Sequence, residues 1–254
     1  MARARISFNP LDFAGEYVLQ AWSRRNDMTE EQCNGFFQFT HITACSYIES
    51  LLSHYLVSVI SEPTIVLRKA KGFAERTTKW QDGDEVKVDV ELENRAVQRL
   101  LEQFETDLNG APFARLISFH TTILGRSLSD IVGPSLYARV NGLVAIRNVL
   151  AHGRPVYVDL VSDPGGSKSL VPEANFDAHP LKSVFQALAS DGLYDPANAR
   201  SGPLVDSLRH IYREEVVRYF WDATRQVADI YIQLGAEQGF IDAKHFQRLP
   251  PLPA

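Results

Sequence analysis

The chain has 254 residues, 45% of them hydrophobic and 22% charged, with a formal net charge of −5. That balance supplies a sizeable core, and its acidity excludes a protein that coats nucleic acid through its overall field, so a phosphate ligand must meet a local basic patch. Two cysteines, Cys33 and Cys45, are too few for a disulfide framework or zinc cluster. No run approaches the roughly 20 apolar residues of a membrane span, and MARARISFNP lacks a signal peptide's apolar stretch. The expectation is a cytoplasmic protein that needs no metal or cofactor.

From Asn34 to Ile60, Phe37, Ile42, Ile48, Leu51, Leu52, Tyr55, Leu56 and Val59 recur at helical spacing, which predicts a long buried helix stopped by Pro63. Residues 61–80 read either as a second helix opening at Pro63 or as a strand at TIVL followed by loop; the helix is preferred. After the turn at Gln81–Gly83, EVKVDVEL alternates like a half-exposed strand. Ala96 to Leu108 then forms an amphipathic helix closed by Asn109 and Gly110, and Pro112 starts another carrying Phe113, Leu116, Ile117, Ile123 and Leu124.

Gly133 and Pro134 open a further helix, proline being tolerated where its missing donor would be unpaired anyway. Beyond it, PVYVDLV and KSLVPEANF flank the turn Asp163–Gly166 as a small β-hairpin. A short helix over Leu181–Ser190, a turn-rich link and a long amphipathic helix over Leu204–Leu234 follow, and RLPPLPA reads as a loose proline-rich C-terminal tail, the alternative for its PPLP being a polyproline ligand. The fold class expected is mainly α: one helical-bundle domain over 1–254, with a β-hairpin inserted at about 155–178.

The helix opened by Pro134 ends in AIRNVLAHGRP, residues 145–155. Asn148 and His152, four apart, share a face that Ala145, Asn141 and Tyr137 extend upstream, while Leu136, Val140, Leu143, Ile146 and Leu150 supply the core side. Arg147 lies beside the polar face, Gly153 is placed as a cap and Pro155 stops the helix. Arginine and histidine also suit a helix C-terminus for a plain reason, since each gains roughly 0.3–1 kcal/mol from the macrodipole. Asn148 has no such explanation, because asparagine is a mediocre helix former.

RNVLAHG resembles the signature of the HEPN superfamily, an arginine followed directly by a polar residue, often asparagine, and then, after four to six intervening residues, by histidine. The resemblance covers the motif helix closely and the helical layout in outline. It implies an antiparallel bundle that dimerises so that two motif helices face one another across a cleft, which in catalytic members is a metal-independent endoribonuclease site. Carried over, Arg147, Asn148 and His152 are the catalytic residues, duplicated by symmetry. The implied products are a 2′,3′-cyclic phosphate and a 5′-hydroxyl, and the implied setting is a toxin or antiviral defence effector with an antitoxin or regulatory partner.

The side chains suit that chemistry. His152 can shuttle protons near neutral pH, Arg147 presents a planar fork of donors to a phosphate, and Asn148 can orient phosphate, ribose or the partner histidine. Between Ile131 and Val158 lie Arg139, Arg147 and Arg154 and no acidic residue, one phosphate-facing stretch in an acidic chain. Arg154, Tyr137 and Asn141 are weaker substrate-binding candidates, and Glu49 in YIESLL corresponds to an acidic residue of the first long helix in some relatives. The position two after the histidine, a modified tyrosine in some relatives, is Arg154 here. A non-catalytic module using the same cleft to bind RNA, a nucleotide or a protein is the alternative.

DPGGSKS lacks the spacing of a phosphate loop. His41, His54, His120, His179, His210 and His245 show no metal spacing and read as structural or surface residues.

Overall fold

The computed structural model describes residues 10–70, 79–81, 84–86, 99–100, 103–104, 106–108, 110–152, 159–162, 170–173, 181–195, 210–238 and 248–253, and of residues 10–13, 61–70, 79–81, 84–86, 152, 159–162 and 170–173 the backbone alone. Helices dominate these residues. Helix α1 (Pro10–Trp22) was not anticipated by the periodicity. It opens on a proline, whose missing donor would be unpaired there anyway, and buries Gly15, Val18 and Trp22 at i, i+3 and i+7.

A single 3₁₀ turn at Arg25–Asp27 leads to a capping box. Gln32 N–H donates to Thr29 Oγ1 at 3.3 Å, and Thr29 N–H donates back to Gln32 Oε1 at 2.9 Å, satisfying two otherwise open donors. Helix α2 therefore starts at Glu30, earlier than the apolar spacing suggests, and runs to Ala70. Leu51, Leu52, Tyr55 and Leu56 are buried as expected, whereas Ile42 and Val59 are half-buried. The expected stop at Pro63 is corrected: a proline removes one donor from the ladder and strains one turn, which a 41-residue helix accommodates. Residues 64–67 are accordingly helix and not strand.

Strands β1 (Lys79–Gln81) and β2 (Asp84–Val86) pair antiparallel, Lys79 opposite Val86. The rest of the strand expected over 85–92, and most of the helix expected from Ala96, lie outside the described residues; 106–108 are helical and Leu108 is fully buried. Helices α3 (Phe113–Leu124), α4 (Leu128–Val132) and α5 (Pro134–His152) follow. Within the span read as a hairpin, β3 (Asp159–Ser162) pairs antiparallel with β4 (Leu170–Glu173). After α6 (Lys182–Ser190), α7 (Glu214–Gln238) begins ten residues later than expected. Residues 211–213 form a turn, and Glu214 and Glu215 in the first turn favour the helix start there through its dipole.

The backbone groups into two compact units that divide within α2 and α7. The first comprises Met1–Ile48, Leu128–Ile230 and Gln247–Ala254, the second Glu49–Ser127 and Tyr231–Phe246. In the first, α5 packs along α6, and Gly142 permits the approach: a Cβ there would stand 3.2 Å from Phe220 Cε1 and 3.6 Å from Val184 Cα. In the second, buried His120 is held at both ring nitrogens. Its Nδ1–H donates to the Arg126 carbonyl at 2.9 Å, which leaves Nε2 to accept from the Tyr231 hydroxyl. Burial lowers the His120 pKa.

The proline-rich end, expected to be loose, is docked on the first unit. Leu249 and Leu252 are buried, and side chains of Trp22, Arg218, Trp221 and Arg225 donate to the segment's carbonyls. The donors that hold it come from α1 and α7, more than 20 residues away, so local composition carried no sign of them.

Candidate functional site

The motif helix is placed from both ends of its sequence logic. Gly133, at φ 84°, closes α4 by donating its N–H to Ser129 O at 2.9 Å, a left-handed conformation that glycine adopts without strain. Pro134 then starts α5, whose first ladder bond runs from Tyr137 N–H to Gly133 O at 3.0 Å. Leu136, Val140, Leu143 and Ile146 are buried, three of them completely, so one face of α5 is anchored in the core of its unit. Leu150, read as a fifth core position, is half-buried.

The other face is neither buried nor free. Tyr137, Asn141, Ala145 and Asn148 are all half-buried, a continuous strip of intermediate exposure along the predicted polar face. Arg147 is half-buried beside it, with its Nε enclosed. His152 is the last residue of α5, one turn or about 6 Å along the axis from Asn148. Arg154 lies outside the described residues.

Two candidates are otherwise engaged. Arg139 forms an ion pair with Asp191 at 2.8 Å and lies over the Tyr219 ring, 4.7 Å from its centroid. Tyr219 O–H also donates to Asp191 Oδ2 at 2.8 Å; burial first, then this carboxylate, push its phenol well above the usual range. The acid-free stretch thus has one arginine whose charge is already met by α6's end, a pairing no local pattern indicated. Glu49 lies in the second unit, where its Oε1 accepts from Phe113 N–H at 3.1 Å and caps α3.

Among the described residues, no group of three or more His, Cys, Asp or Glu side chains could hold a metal ion, and no helix is long and apolar enough to cross a membrane. In comparison with known proteins, no family model, curated protein or solved structure matches the chain.

Proposed function

We propose that the chain is a metal-independent endoribonuclease of the HEPN type, a helical bundle with a hairpin insertion at β3–β4, acting in the cytoplasm as a symmetric homodimer. The observation that carries this reading is α5, which buries one face in the core and leaves Arg147 and Asn148 half-exposed in the turns before His152. A helix end serving only as a terminus needs no asparagine there.

The reaction is intramolecular attack on the RNA backbone. His152 of one copy takes the 2′-hydroxyl proton as the 2′-oxygen bonds to phosphorus; the bond to the 5′-oxygen breaks, and the second copy's His152 protonates the leaving oxygen. Arg147 bonds the phosphoryl oxygens as charge develops on them, and Asn148 fixes the phosphate or ribose. A toxin or defence role, restrained by an antitoxin or regulatory protein, goes with the resemblance of RNVLAHG to that family.

The test is cleavage of RNA in excess EDTA by the wild-type chain and by His152→Ala, Arg147→Ala and Arg147→Lys, with the product ends analysed. Cyclic-phosphate ends, with losses of roughly 10²–10⁴-fold in His152→Ala and little rescue by lysine, are expected. Folded, inactive wild-type protein whose RNA binding still depends on Arg147 would replace catalysis with a non-catalytic binding module.

A further inference from the structure

Along α7, Arg218, Trp221 and Arg225 stand at i, i+3 and i+7, and all three point donors at residues 249–253. Arg225 Nε donates to Leu249 O at 2.9 Å, Trp221 Nε1 to Pro250 O at 2.9 Å, and Arg218 Nη1 to Leu252 O at 3.2 Å. Pro253 O accepts from Trp22 Nε1 at 3.0 Å and from Arg218 Nη2. Every one of these bonds runs from helix side chains to segment carbonyls. Prolines at 250, 251 and 253 have no N–H to satisfy in return.

Burial within the segment repeats every three residues: Leu249 and Leu252 are buried, and Pro250, Pro251 and Pro253 are exposed. Three residues per turn is the period of a left-handed polyproline helix. Leu249 reaches the backbone of α1, since a Cβ on Gly15 would lie 3.5 Å from its Cδ2.

Two of the four donors, Trp22 and Arg218, have partners apart from the segment. Glu214 accepts from Arg25 Nε at 2.8 Å and from Arg218 Nε at 2.9 Å. Both guanidiniums lie over the Trp22 ring, their Cζ atoms 5.3 and 4.8 Å from its centroid. Proline-rich segments dock in aromatic-lined grooves; here the two leucines face inward and the segment's carbonyls take the indole and guanidinium donors.

We infer that the first unit contains a binding site for an extended proline-rich segment with leucines three apart, which the chain's own residues 249–253 occupy as a detachable ligand. The same peptide supplied in trans competes against a tethered copy whose effective concentration is on the order of millimolar.

The experiment uses the 254-residue chain and a labelled peptide QRLPPLPA, residues 247–254. Leu249→Asp with Leu252→Asp charges both inward leucines and leaves the groove intact. That variant is expected to bind the peptide at least about tenfold tighter than wild type, and adding Trp221→Phe and Arg218→Met should abolish binding. A folded double variant that does not bind, or binds regardless of the groove substitutions, overturns the proposal. On the unaltered chain, the indole N–H groups of Trp22 and Trp221 should exchange with solvent faster than the backbone amides of α7 between Val216 and Val227, through release of the segment. Exchange as slow as those amides would make the segment an integral part of the core and overturn the proposal independently.

Discussion

His41 makes the stability of the first unit depend on pH in a direction that can be worked out in advance. It is 1% exposed on α2, edge-on to Phe220 with ring centroids 5.7 Å apart, and its Nε2–H donates to the Ile211 carbonyl at 3.0 Å. Burial lowers its pKa from 6.5 to about 4, against the opposing effect of that hydrogen bond. The folded value lies below the unfolded one, so between the two the unfolded chain binds more protons. His41's contribution is therefore whole above the unfolded value and is lost as pH falls toward about 4. Applying the linkage relation to those two values gives a loss of about 2 kcal/mol between pH 7 and pH 5. His41→Gln retains a side-chain N–H for Ile211 and cannot titrate. Urea unfolding of both proteins at both pH values, followed by tryptophan fluorescence, isolates the effect, because carboxylates and His120 cancel in the difference. Wild type should lose about 2 kcal/mol more than the variant on acidification; equal losses would show that His41 titrates normally and refute the argument.

Thr29→Ala removes one half of the capping box and should lower stability by about 1 kcal/mol in urea unfolding. Gly142→Ala places a Cβ 3.2 Å from Phe220 Cε1, and an overpacked contact of that kind should cost about 1–3 kcal/mol, with a lower Tm. Tyr231→Phe leaves the buried Nε2 of His120 without its donor, a loss of about 1–3 kcal/mol in the same assay. Arg139→Met should leave RNA cleavage unchanged, since its charge is met by Asp191, whereas Arg147→Ala should abolish it.

Much of the fold was legible because apolar spacing is a local signal. The core stripe Leu136, Val140, Leu143 and Ile146 is buried as its period requires. Misreadings occur where a single residue was taken as decisive. Pro63 interrupts one hydrogen bond and not the helix, and the Leu204–Leu234 pattern continued through a turn that acidic residues at Glu214 convert into a helix start. Helix α1 was missed although Val18 and Trp22 lie four apart, because Gly15 contributes no side chain to the stripe.

The site is legible to the extent that it lies on one helix. Tyr137, Asn141 and Asn148 fall on a common strip because four- and seven-residue spacings dictate it, and no tertiary contact was needed to see that. Glu49 and Arg139 could not be judged the same way. One is occupied by an N–H 64 positions away, the other by a carboxylate more than 50 positions on. Arg139 would have widened the basic stretch into a general phosphate-binding surface, but its charge is met by Asp191.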